Sequence, residues 1–117
     1  MADSILRTKS KDLAKDIVFL CRKMKQNGVE GALINQLLRS GTSIGANIHE
    51  AQYAQGTKDF ISKFEIALKE CNESEYWLEL LCETNGISKE EFDTFQKNCV
   101  ELRRMLVSSV TTLKSKQ

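Results

Sequence analysis

A chain of 117 residues has room for one domain with a modest core. Its 41 % apolar and 28 % charged residues are those of an ordinary globular protein, and no apolar run approaches the ~20 residues that span a bilayer. Seventeen Lys and Arg against sixteen Asp and Glu leave a formal charge of +1, so any nucleic-acid contact would need a local patch, not bulk basicity.

The first predicted helix covers residues 4–26. Leu6, Leu13, Ile17, Leu20, Cys21 and Met24 recur at helical spacings, and Lys23 and Lys25 fall where the helix dipole favours cations. Asn27-Gly28 ends it, since both residues tolerate a left-handed backbone. The second helix is expected over residues 30–55, with Leu33, Leu37, Gly41, Ile44, Ile48 and Ala51 in one stripe. Gly41 and Gly45 each cost about 1 kcal/mol relative to alanine inside a helix. Close approach of a neighbouring helix is the gain that would offset this. Gly56-Thr57 closes the segment, with Thr57 as the expected N-cap of the next.

The third helix is expected over residues 58–84. Phe60, Phe64, Ala67, Cys71, Ser74, Leu78 and Leu81 alternate steps of four and three, the seam of a left-handed bundle. Ile61, Ile66, Leu68, Trp77 and Leu80 lie beside or beyond that seam. The apolar surface therefore wraps more than half of the helix, which points to a contact with another subunit. Asn85-Gly86 is a second stop signal. Ser88-Lys-Glu-Glu91 has the form of a capping box, opening a fourth helix to about Leu113 with Phe92, Phe95, Cys99, Leu102, Leu106 and Leu113 inward. Nothing alternates with the period of a strand. Short loops between long helices give an all-α, up-down-up-down left-handed four-helix bundle, a single domain over residues 1–117.

Chemistry-bearing groups are sparse. Cys21, Cys71, Cys82 and Cys99 form no C-x-x-C pair, and they read as reduced core thiols of a cytoplasmic protein, consistent with the polar start MADSILRTKSKD. His49 is the only histidine and falls toward solvent without an orienting partner. No metal, cofactor or catalytic residue is expected. An inter-subunit metal or hydrolase site using His49 and Glu50 is the minor enzymatic reading. Arg39, Ser43, Ala46 and Glu50 form a column with Asn47 at its edge, read as a hydrogen-bonded buttress against a neighbouring helix or subunit. Glu75 lies near the seam of the third helix. It needs a cation from a neighbouring helix or Asn47 as partner, or else an opening to water. Arg7, Lys11, Arg103 and Arg104 are candidates for a phosphate-contacting stripe along the first and fourth helices.

Residues 37–51, LLRSGTSIGANIHEA, resemble the signature of the bacterial four-helix bundle proteins linked to 23S rRNA intervening sequences. Residues 59–81, DFISKFEIALKECNESEYWLELL, are similar to the third helix of that family, and the likeness runs over nearly the whole chain. The resemblance implies an up-and-down bundle assembled as a ring-like homopentamer. It gives Ser43, Asn47 and Glu50 in one motif, and Glu75, Tyr76 and Trp77 in the other, structural or interface roles. A related group, the accessory proteins of diversity-generating retroelements, consists of basic pentamers that bind nucleic acid and a reverse transcriptase; the near neutrality of this chain departs from them. The leading expectation is a non-enzymatic oligomeric interaction or scaffold protein with no membrane contact. The alternative is an RNA- or DNA-binding accessory protein whose weak sites are multiplied around the ring.

Overall fold

The computed structural model describes residues 2–117. Four helices follow one another, α1 (Ala2–Gln26), α2 (Gly31–Ala51), α3 (Thr57–Glu83) and α4 (Lys89–Ser115), in a body of 48 × 21 × 20 Å. Each helix packs on its chain neighbours, α4 returns to α1, and α1 and α3 occupy opposite corners. The cross-links show every neighbour to be antiparallel: Lys23 pairs with Glu91 and Lys9 with Glu101, while Glu75 pairs with Arg103 and Glu65 with Lys114. The observed architecture is the expected all-α four-helix bundle.

The stop signals act through backbone geometry. Gly28 takes φ 77°, Val29 N–H reaches the Met24 carbonyl at 3.0 Å, and Gly28 N–H reaches that of Lys25 at 3.2 Å. This is the Schellman closure. At the end of α3 the left-handed residue is Asn85, at φ 64°, and Gly86 N–H reaches the Leu81 carbonyl at 2.7 Å. The capping box is formed in full: Glu91 N–H donates to Ser88 Oγ at 3.0 Å and Ser88 N–H to Glu91 Oε1 at 2.9 Å.

Two expected boundaries are corrected. α2 ends at Ala51, not near Gln55, because Ala51 is the last residue of the stripe that reaches the core. Beyond it Gln52, Tyr53 and Ala54 each donate to the carbonyl three residues back, as a chain leaving a helix does. Thr57 is not the N-cap of α3. Gly56 holds that position in extended backbone, and Asp59 accepts from Gln55 N–H at 3.1 Å.

The glycines of α2 do allow close approach. A Cβ on Gly41 would lie 2.3 Å from Ile17 Cδ1, and one on Gly45 would lie 3.3 Å from Ser10 Oγ. Ile17 is fully buried, so α1 closes down on α2 where the second helix lacks side chains. On the other flank of α2, Ser74 Oγ donates to Ser40 Oγ at 3.0 Å, both residues fully buried. Gly41 and Ser40 are consecutive, which sets Ile17 of α1 and Ser74 of α3 at nearly the same height. Since α1 and α3 run in the same direction, that register carries along their length.

Candidate interaction site

The motif residues of α2 bond along their own helix. Ser43 Oγ donates to the Arg39 carbonyl at 2.6 Å, and Asn47 Nδ2 donates to the Ser43 carbonyl at 2.8 Å. These bonds satisfy the side chains but cross to no other helix. The link to α3 comes instead from the Ser40–Ser74 bond and from Arg39, which pairs with Glu70 at 3.1 Å and with Glu73. Glu73 also accepts from Trp77 Nε1 at 3.1 Å. That indole bond first, and then Arg39, hold the Glu73 carboxyl below its usual range. The sequence reading missed the Arg39–Glu70–Glu73–Trp77 group. The available signal was three polar-tipped residues of α3 at steps of three and four beside the seam.

Glu75 finds a cation, not Asn47. Arg103 of α4 reaches it through Nε at 3.1 Å and Nη2 at 3.5 Å, a fork-on-carboxylate contact at the half-buried α3–α4 edge. A recess of about 290 Å³ opens beside the pair, lined by Asn72, Tyr76 and Glu79. Both sequence alternatives are therefore met in part: the carboxylate is paired, and its side chain keeps 20 % of its surface in water.

The four candidate phosphate contacts do not converge on one surface. Arg7 and Lys11 line a groove of about 590 Å³ between α1 and α2, facing His49 and Glu50, with Ser10, Ala14, Gly45 and Ala46 along it. Arg103 is engaged with Glu75 on the α3 side of α4, and Arg104 is exposed. Arg7 and Lys11 therefore lie apart from Arg103. His49 is exposed, as expected, with its ring 5.6 Å from that of Tyr53.

The surplus apolar surface of α3 is smaller than its sequence suggests but present. Ile61 is buried, and Leu68, Trp77 and Leu80 are half-buried within the bundle. Ile66 keeps 39 % and Tyr76 59 % of its surface exposed. At 100° per residue, Ile66, Tyr76 and Leu80 share an arc of about 80° on the outer side of α3. Trp77 meets the Tyr76 ring edge-on at 5.0 Å and steadies it.

The thiols are core groups. Cys71 and Cys99 are fully buried, with Cys71 Sγ 3.7 Å from the Cys99 carbonyl oxygen. Burial pushes Cys71 up to about 12 and Cys99 higher still, and it pushes Cys21 to about 11. Among the described residues no three His, Cys, Asp or Glu side chains gather as a metal site. No helix among them is long and apolar enough to cross a membrane.

Residues 2–108 match the family model described as 23S rRNA-intervening sequence protein. A solved structure from Bacteroides thetaiotaomicron VPI-5482, a protein of unknown function from the S23 ribosomal protein family, is 44 % identical. The match covers 95 % of this chain and 99 % of that one, with a TM-score of 0.92. No curated protein matches the chain.

Proposed function

Because the chain belongs to the 23S rRNA-intervening sequence protein family, we propose that it acts as a non-catalytic, self-associating helical module that presents interaction surfaces in multiple copies. One observation carries this reading: the outer arc of α3 leaves Ile66 and Tyr76 in water beside half-buried Leu80, on a helix whose opposite side is fully packed. Covering such side chains gains roughly 25 cal/mol per Å² of apolar surface, and a sister copy is always available to cover them. Five copies is the number the family resemblance implies. Cytoplasmic residence fits the reduced, buried thiols. Sedimentation velocity tests the reading. A stable species several times the 13.3 kDa protomer mass at micromolar concentration is expected, and a monomer there would overturn it.

A second reading, contact with RNA or DNA, rests on Arg7 and Lys11. Neither pairs with a carboxylate among the described residues, and both line the α1–α2 groove. Retardation of structured RNA that falls steeply with added salt is the expected result, and lost retardation on replacing Arg7 and Lys11 by Gln locates it. No retardation at low salt would remove this reading.

A further inference from the structure

Two exposed surfaces at opposite corners of the bundle match one another. On α1, Lys15, Phe19 and Arg22 lie within about 60° of one helical face. Phe19 is 61 % exposed, and Arg22 rests on its ring with the guanidinium carbon 5.8 Å from the centroid. On α3, Tyr76, Glu79 and Glu83 share an arc of the same width, with Tyr76 59 % exposed. Within that arc each surface has one open aromatic ring and two charges of a single sign; exposed Lys69, seven residues before Tyr76, borders the α3 surface. All four charged residues are exposed, and none enters an ion pair among the described residues. Asp12 and Asp16, the nearby acids of α1, line the recess toward α4 instead.

Two of the heights match as well, those of the aromatic rings and of one opposite-charge pair. With Ile17 level with Ser74, Phe19 lies level with Tyr76, and Arg22 level with Glu79. Lys15 faces Asn72 at its own level, and Gln26 lies level with Glu83. Two copies placed side by side with their long axes parallel would bring α1 of one against α3 of the next in this register.

We infer that the α1 surface of one copy docks on the α3 surface of a second copy, with Phe19 against Tyr76 and Arg22 against Glu79. The inference rests on the self-association reading above and specifies its contact. The two surfaces differ, so the contact is heterologous: repeated, it closes into a ring if the rotation between copies permits, and otherwise extends as a filament. Neither ring needs to move to be reached, and Trp77 already holds Tyr76 edge-on. Exposed charges at such a rim set register and partner choice, and their effect fades with salt.

A charge-exchange series read by sedimentation velocity tests the contact, with circular dichroism confirming the fold of each chain. Lys15→Glu/Arg22→Glu turns the α1 surface acidic, with acid against Glu79, and Glu79→Lys/Glu83→Lys turns the α3 surface basic, with base against Arg22. Each pair is expected to weaken self-association by roughly a hundredfold. The chain carrying all four changes restores opposite signs and is expected to reassemble. Phe19→Ser weakens assembly without any change of charge. If either charge-reversed pair assembles as tightly as the parent, or the fourfold exchange fails to recover assembly, this contact is wrong while self-association stands. A monomeric parent chain would instead remove self-association itself.

Discussion

Ser74 Oγ donates to Ser40 Oγ at 3.0 Å in the interior of the α2–α3 contact, where neither residue reaches water. Ser40 passes its own proton toward the Leu37 carbonyl at 3.4 Å. Two hydroxyls thus satisfy each other at a position where larger side chains would push the helices apart. Ser40→Ala leaves Ser74 without its partner in a dry site and is expected to lower stability by about 1–2 kcal/mol. Ser74→Ala leaves Ser40 its carbonyl and costs less. The double replacement removes donor and acceptor together, so its loss should fall short of the sum of the two. Urea unfolding of the four chains measures this; strict additivity would show that the hydroxyls act independently.

Gly41 resists substitution for a local reason. A methyl group there would overlap Ile17 Cδ1, and Ile17 Cγ2 stands at 3.1 Å behind it. Alanine gains about 1 kcal/mol of helix propensity, yet overpacking a full core loses about 1–3 kcal/mol. Gly41→Ala is therefore expected to destabilise. Ile17→Val deletes the offending Cδ1 and should make the same Gly41→Ala change tolerable. Thermal unfolding of the double variant tests this: it should melt above Gly41→Ala alone.

Much of this fold is readable from periodicity alone. The stripe residues of α1, Leu6, Leu13, Ile17, Leu20, Cys21 and Met24, are all buried because a hydrophobic step of three or four needs only one helix to interpret it. Asn27-Gly28, Asn85-Gly86 and Ser88–Glu91 are equally local, since each meets the backbone of its own helix end. The end of α2 was harder: Tyr53 continues the composition but not the stripe, and only the neighbouring helices decide that nothing is there to bury it. The partners of Arg39 and Glu75 depend on which residues of another helix arrive at the same height. Periodicity names the face of a charged residue but not the register between helices. For the same reason Arg103 could be taken for a free cation alongside Arg7, though Glu75 holds it on another side of the bundle.

The Glu75–Arg103 pair should behave asymmetrically under mutation. Its carboxylate is the more enclosed member, with 20 % of its side chain in water against 37 % for the arginine. Arg103→Ala strands that carboxylate beside buried Cys71 and Cys99 and is expected to destabilise by about 1–2 kcal/mol. Adding Glu75→Gln removes the stranded charge and should return part of that loss. Chemical denaturation of the single and double variants resolves the two cases. Equal stability of Arg103→Ala with and without Glu75→Gln would mean the carboxylate is fully hydrated.

Thiol reactivity should sort the cysteines by burial. Cys21, Cys71 and Cys99 are buried with thiols pushed well above the ordinary range, so few thiolates form near neutral pH. Cys82 is half-buried on α3. With a disulfide reagent at mildly alkaline pH, Cys82 is expected to react first. The other three should follow at the rate of local or global opening. Mass mapping of the first modified peptide decides it, and early labelling of Cys71 or Cys99 would show that the α3–α4 core opens readily.

Acid should loosen the start of α4 before the rest of the bundle. The Ser88 backbone N–H, then Lys23, hold the Glu91 carboxyl below its ordinary range. The ionised form is therefore favoured in the folded chain. Its contribution is fully present above the ordinary carboxylate range and is lost as pH falls through the lowered folded value. Protonation removes the acceptor for Ser88 N–H and the partner of Lys23 together. Glu91→Gln keeps a capping oxygen but not the charge, and should flatten the dependence of stability on pH in that acidic window. Ser88→Ala removes the other half of the box, costs about 1 kcal/mol, and lowers stability across the pH range. Unfolding free energy measured from neutral to acidic pH for the parent and both variants separates the effects. An acid loss unchanged in Glu91→Gln would assign the pH dependence to other carboxylates.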